Sequence, residues 1–383
     1  MSAVGIPRFA AEEIARRHAA ARGLMDDGDL DGLLVFGHSG RRRHNQADVY
    51  YLSNVAPQHE SYLLLPNRGE PVLFVTHYNH LASAREVAAI DDVRRAGRHA
   101  TAAVAKEITA RGLARLGVVG PVFYQDMDAL RAALPAAKWA DVSLPFRALR
   151  TLKSDAELDF QRRAAAACDS IITAFAREIR PGVEERDLLV LSEQIAWRSG
   201  CEPDFLYLNS TPMAQSESAV PNQNISRRKL AMGDVVNTEL TVSYGLYSAQ
   251  ILRPFFLGEP TPEYARLYEV TKAVHDRLAA VVKAGATAHD VWEASGYVEE
   301  QGYTTVDSVL HGFGIDILPP NIRSKGFAPP PAFTFKQTMT VVLQPNPTTA
   351  DERIGLQLGE LGLIGEKGFE SLHAIPAEVI QCS

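Results

Sequence analysis

Cysteine is scarce in this chain. Cys168, Cys201 and Cys382 are odd in number and far apart. They form neither a disulfide framework nor a zinc motif, and a reducing, cytoplasmic compartment is the expectation. No apolar run approaches the roughly 20 residues that cross a bilayer, so no membrane partner is expected. The opening Met1-Ser2-Ala3-Val4-Gly5-Ile6-Pro7-Arg8 lacks a basic region followed by an apolar stretch, so no signal peptide is expected. Positive charge is not in excess. A formal net charge of -7 argues against a broad nucleic-acid surface. The one basic cluster, Arg41-Arg42-Arg43-His44, reads as a solvated loop or as an anion or substrate contact. Internal repeats and low-complexity segments are absent, although Pro329-Pro330-Pro331 marks a rigid loop. What is present is an ordinary globular composition, 46% hydrophobic over 383 residues. That length exceeds one ordinary core and implies two domains.

The first domain is expected over 1–150 as an α/β unit, because strand and helix patterns alternate there. Residues 10–27 read as an amphipathic helix. Strands are expected at 31–37, 49–52, 61–66, 71–75 and 115–120, with helices near 80–89 and 100–114. The second domain, 151–383, is expected to be α+β with antiparallel strands. Ser154 or Asp155 caps a long helix reaching about Ile179, where Arg180-Pro181-Gly182 stops it. A helix over 184–199 follows. Strand pairs are then expected at 204–209 with 217–221 and at 234–242 with 247–257. Thr261 and Pro262 open a helix over 262–284, and another covers 288–301. Strands at 339–344, 355–358, 361–364 and 376–381 close the chain.

Four motifs in order carry a family resemblance: Tyr51-Leu52-Ser53, Leu152-Lys153-Ser154, Gly233-Asp234-Val235-Val236 leading to Tyr247 and Arg253, and His311-Gly312-Phe313-Gly314. The chain resembles the creatinase/aminopeptidase superfamily, the pita-bread fold that includes methionine aminopeptidase, prolidase, aminopeptidase P and creatinase. The resemblance implies a pita-bread C-terminal domain and a homodimer. In relatives the N-terminal domain of one subunit often covers the other's site, for which His44, Asn45 and His59 are the candidates here.

Metalloenzymes of that family hold two divalent ions with two Asp, one His and two Glu, since carboxylates neutralise the dications and a bridging water becomes hydroxide near neutral pH. In this chain the two aspartate slots, 11 residues apart, hold Glu239 and Gln250. The histidine slot keeps His311. The glutamate slots hold Gln344 and Gly359, and a second family histidine is Leu318. Amides are poor ligands for a transition metal. No metal and no other cofactor is therefore expected. Glu360, one residue along, would point to the other face of its strand.

Metal-free creatinase places a catalytic histidine where this chain has Asn222, so creatine is not the expected substrate. The pattern is nearer to the metal-free ectoine hydrolase branch: Glu239, then Tyr247 and Arg253, with Gln250 standing where that branch has proline. That likeness implies a metal-independent hydrolase, or a lyase, acting on a C–N bond of a small polar or cyclic amide or amidine. Glu239 would be base or nucleophile, and His311 the acid/base. Asn222, Tyr247, Gln250, Arg253 and Gln344 would bind the substrate. For Glu239 a salt bridge to Arg253 is the structural alternative. Two further readings are a non-catalytic binding protein of this fold and an Xaa-Pro-type metallopeptidase with a degenerate metal site.

Overall fold

The structure, a computed structural model, describes residues 5–39 and 43–383. Arg41 and Arg42 of the basic cluster lie outside the described residues, as do the side chains of Arg43 and His44. The chain divides into two compact units, 1–150 and 151–383.

In the first unit the helices are α1 (Ala11–Asp27), α2 (Ala47–Ser53), α3 (Tyr78–Val87), α4 (Ala100–Ala110), α5 (Tyr124–Ala133) and α6 (Ser143–Leu149). The strands are β1 (Gly32–Gly37), β2 (Ser61–Pro66), β3 (Val72–Val75), β4 (Asp92–Arg95), β5 (Arg115–Val119) and β6 (Lys138–Asp141). They form one mixed sheet in the order β4-β3-β2-β1-β5-β6. Strands β1 and β2 are buried throughout, which is why they read as unbroken apolar runs.

The strand expected at 49–52 is instead α2. Its Val49-Tyr50-Tyr51-Leu52 composition favours a strand, yet all seven residues of this helix are buried. Asn54, at φ 64°, ends it and donates its N–H to the Tyr50 carbonyl. Burial on every side outweighs the local preference. Of the proposed covering residues, Asn45 accepts the His38 N–H with its backbone oxygen, and His59 lies against His77 with tilted rings whose centroids are 4.1 Å apart.

The second unit opens with α7 (Asp155–Glu178) and α8 (Glu185–Arg198), followed by β7 (Glu202–Pro212), β8 (Asp234–Tyr244) and β9 (Tyr247–Leu257). Then come α9 (Pro262–Val281), α10 (Ala288–Ser295), α11 (Tyr297–Glu300), β10 (Thr304–Thr305), β11 (Leu310–Phe313), β12 (Ile317–Ile322), β13 (Thr340–Leu343), β14 (Pro347–Thr348), β15 (Gly359–Ile364), β16 (Phe369–Ser371) and β17 (Ile380–Cys382). The main sheet runs β12-β11-β13-β15-β9-β8-β7, and all neighbours along this path are antiparallel.

Helix α7 begins with a full capping box. The Glu157 N–H donates to Ser154 Oγ, and the Glu157 carboxylate accepts the Ser154 N–H at 2.7 Å. Leu158, Ala165, Cys168, Ile172 and Phe175 recur at helical spacing and bury one stripe. That stripe packs on Leu240, Val242, Ala249, Ile251 and Phe255 of the β8–β9 pair. Each buried Ile, Leu or Phe contributes about 1.5–3 kcal/mol.

Several expectations fail here: 355–358 carries only an isolated bridge from Gly355 to Thr348, and the strand expected at 376–381 is confined to β17. The segment 217–221 forms no strand: Leu208 and Asn222 exchange two backbone hydrogen bonds, at 3.1 and 3.3 Å, and the ladder goes no further. Pro221 cannot donate to a ladder, and β8 pairs with the opposite edge of β7. The helix expected over 288–301 is divided at Gly296 into α10 and α11.

Candidate active site

The β8–β9 hairpin turns through Gly245 and Leu246, both at positive φ (53° and 63°). Such a two-residue turn locks the register of its strands. Thr241 faces Gln250 and Glu239 faces Leu252. Glu239 and Gln250 are therefore diagonal neighbours on one face, and Gln250 Nε2 donates to Glu239 Oε1 at 2.9 Å. Gly359 of β15 faces the same Leu252. His311 pairs in register with Val342, and Val342 with Leu361, two residues beyond Gly359. Strict alternation along these strands puts Glu239, Gln250, Gly359 and His311 on one face of the sheet.

Glu239 is enclosed by protein while keeping a partly exposed edge. Burial raises its carboxyl group to about 8, the Asp307 carboxylate adds to the rise, and the Gln250 hydrogen bond opposes it. At neutral pH this group is mostly a neutral acid. His311 is buried, and its Nδ1 donates to the Gly312 carbonyl at 3.1 Å. Burial pushes its titration below the ordinary range, with smaller opposing effects from Gly312, Asp307 and Gln344, so it is a neutral imidazole. The Gln344 amide lies near enough to the ring to favour its charged form, yet Gln344 Oε1 makes no full hydrogen bond. Its Nε2 is committed to Ser308, donating to the carbonyl and to Oγ at 3.1 Å each.

The other proposed residues are elsewhere. Tyr247 and Arg253 are three residues from Gln250 in opposite directions, so alternation places them on the other face of β9. Tyr247 is buried and donates its hydroxyl to Glu157 at the start of α7. Arg253 is fully buried, pairs with Glu360, and donates to the Gly359 and Leu252 carbonyls. Its carboxylate partner is Glu360, not Glu239, and both residues are structural. Asn222 is exposed, and its Oδ1 accepts the Asn224 N–H in a local turn. Strand alternation thus turns Tyr247 and Arg253 to the face of β9 away from Glu239, which corrects their expected part in substrate binding, while Asn222 sits in a local loop turn.

Asp307 was missed. It is exposed, lies four residues before His311, and its charge acts on both Glu239 and His311. In sequence it resembles any turn aspartate, and only the fold gives it this place.

A dinuclear metal centre does not fit these residues. Gln250 spends its amide N–H on Glu239, and Gln344 spends its own on Ser308. The Gly359 slot is closed by backbone: a Cβ there would stand 1.9 Å from the Leu343 carbonyl oxygen. Among the described residues no group of three or more His, Cys, Asp or Glu side chains is placed to hold a metal ion.

The chain belongs to metallopeptidase family M24, whose sequence profile matches residues 159–366. A creatinase/prolidase N-terminal domain profile matches residues 17–152. Among its relatives, the Xaa-Pro dipeptidase of Pyrococcus furiosus is 22% identical over 362 residues, covering 93% of this chain and 97% of that one. The probable dipeptidase PepE of Mycobacterium tuberculosis is 26% identical over 396 residues, covering 98% and 99%. The crystal structure of the prolidase from Pyrococcus horikoshii matches with a TM-score of 0.82 at 22% identity, covering 95% of this chain and all of that one. The fold is thus the two-domain pita-bread fold, with an α/β N-terminal unit and an antiparallel C-terminal sheet. These comparisons overturn the expectation of a metal-independent hydrolase of small cyclic amides or amidines, because the relatives matched over nearly their whole length are named as dipeptidases.

Proposed function

We propose that this chain is a peptidase of the Xaa-Pro dipeptidase type with a degenerate metal site, acting on dipeptide-sized substrates. The observation that carries this reading is the juxtaposition of Glu239, Gln250 and His311 on one sheet face, at the slots the family uses for its chemistry. Near-full-length similarity to proteins named as dipeptidases supports it. No step runs through a dinuclear centre, since the donor set does not build one. The neutral carboxyl of Glu239 can donate a proton or hydrogen bond to a substrate oxygen or leaving nitrogen. The neutral imidazole of His311 can accept a proton. Gln250 and Gln344 offer amide groups that orient a polar backbone. A homodimer in the cytoplasm belongs to the same reading. A second reading, dipeptide binding without turnover, is favoured by the neutral amides at two former charged slots.

The test is hydrolysis of Ala-Pro and Leu-Pro followed by chromatography, before and after chelation and with manganese, cobalt or zinc restored. Bound metal is measured in parallel by elemental mass spectrometry. Slow release of proline, lost in Glu239→Ala and His311→Ala, is expected. Calorimetric binding with no product under any metal condition would establish the second reading. Neither binding nor product would sink both.

A further inference from the structure

The first unit carries a cleft of its own. Strands β1, β3, β4 and β5 run parallel, and β2 is antiparallel to its neighbours β1 and β3. A cavity of about 550 Å³ opens at the carboxyl ends of the parallel strands. Tyr78 follows β3, Arg95 ends β4 and Phe123 follows β5, while Glu60 and Tyr62 come from the start of β2 and Asp126 from the first turn of α5. Open α/β sheets bind ligands in this position, and small-molecule sites measure about 300–1,000 Å³. The charges in the cleft are not matched to one another. Arg94 is held by Asp92 and Glu107, whereas Arg95 turns to the other face of β4 and makes no ion pair among the described residues. Neither Glu60 nor Asp126 has a cationic partner among the described residues. The Tyr62 hydroxyl donates to Asp126 Oδ2, and Oδ1 accepts nothing among the described residues. Ser61, Val75 and Arg95 lie in one row across β2, β3 and β4, so the backbones at Glu60 and Arg95 are two strand spacings, about 10 Å, apart. The walls are aromatic. Phe123 is 39% exposed and packs on Phe36 with ring centroids 5.3 Å apart, and Phe36 packs on buried Tyr62 at 5.1 Å. Tyr78 is 72% exposed, with the Arg95 guanidinium 5.9 Å from its ring. Exposed apolar surface rimmed by polar groups marks a binding surface.

We propose that this cleft binds a free α-amino acid with a large apolar or aromatic side chain: its carboxylate on Arg95, its ammonium on Glu60 and Asp126, and its side chain against Tyr78 and Phe123. An anion alone would meet two carboxylates, and a cation alone would leave Arg95 unmatched, so a ligand with one charge of each sign fits both ends. The guanidinium fork matches a carboxylate, and an ammonium has three donors to share between two carboxylates. Phe123 is held from below by Phe36, so it offers a fixed apolar wall at little ordering cost. Every residue of the site belongs to the first unit, so the proposal stands apart from the peptidase reading of the Glu239 face.

The experiment is titration calorimetry on the full chain with phenylalanine, leucine, glycine, N-acetyl-phenylalanine and phenylalaninamide, repeated with Arg95→Gln, Glu60→Gln and His311→Ala. Arg95 is exposed and Glu60 half-buried, and neither side chain makes a hydrogen bond among the described residues, so both variants are expected to fold, which circular dichroism checks. Phenylalanine and leucine are expected to bind, and glycine, N-acetyl-phenylalanine and phenylalaninamide to bind at least about tenfold more weakly than phenylalanine. Arg95→Gln is expected to bring phenylalanine down to the affinity of phenylalaninamide, and Glu60→Gln to narrow its lead over N-acetyl-phenylalanine. His311→Ala is expected to leave phenylalanine binding unchanged. No binding of phenylalanine or leucine at millimolar concentration, glycine equal to phenylalanine, or a phenylalanine affinity unchanged in either Arg95→Gln or Glu60→Gln overturns the proposal. Binding lost in His311→Ala and kept in Arg95→Gln also overturns it, by assigning the amino acid to the Glu239 face. Arg95-dependent binding in a protein that neither binds nor cleaves dipeptides would uphold the cleft and refute the peptidase reading alone.

Discussion

At the scale of single residues, Glu239 shows how a lost charge partner changes a side chain. Its carboxyl titrates near 8, because enclosure disfavours the charged form and only an amide, not a cation, lies against it. The stability consequence has a definite sign. The folded pKa lies above the unfolded value, so the group costs nothing below about pH 4.5. The cost grows as pH rises and is complete above about pH 8. Glu239→Gln keeps an oxygen for the Gln250 N–H and removes the ionisation. We expect this variant to match the parent at pH 4.5 and to be more stable by about 2 kcal/mol at pH 9, a figure reduced to allow for the partly exposed edge. Urea denaturation at the two pH values measures it, and equal stabilities at pH 9 would show that Glu239 ionises freely. The family resemblance sets Glu239, Gln250, Gln344 and His311 in their slots, and the fold brings Glu239, Gln250 and His311 to one face. Tyr247 and Arg253 were misassigned because a motif records position along the chain but not the face a strand turns toward.

At the scale of elements, β15 explains why a carboxylate cannot simply be introduced at the Gly359 position. Gly359 is held between Leu252 on β9 and the Leu343–Gln344 backbone. A Cβ would stand 1.9 Å from the Leu343 oxygen and 2.9 Å from Gln344 Cα. Gly359→Ala must therefore displace a strand, and we expect it to lose about 3 kcal/mol, read as a lowered melting temperature. An unchanged melting temperature would show that the strands separate readily. The helices of this unit were the most legible elements. Ser154 with Glu157, and Thr261 with Pro262, announce α7 and α9 through capping chemistry that needs no tertiary partner. The errors fell where tertiary burial or pairing outweighed local preference. The buried α2 was misread as a strand, and 217–221 stays out of the ladder, where Pro221 has no N–H to donate.

At the scale of the whole molecule, a homodimer is part of the proposed function. The chain mass is 41.9 kDa, and analytical ultracentrifugation is expected to return twice that value. A monomer at micromolar concentration would remove the partner subunit from any account of the site.

The sequence by itself determined the family, the pita-bread architecture and the loss of metal-ligand chemistry at three slots, because motif order, capping residues and residue identity are properties of the chain alone. Only the tertiary structure decided which of the candidate side chains share a face. It also showed that Arg253 belongs to Glu360, that the Gly359 slot is sterically shut, and that Asp307 bears on Glu239 and His311. Those facts depend on strand register and on backbone approach between strands far apart in sequence, and no local pattern specifies either.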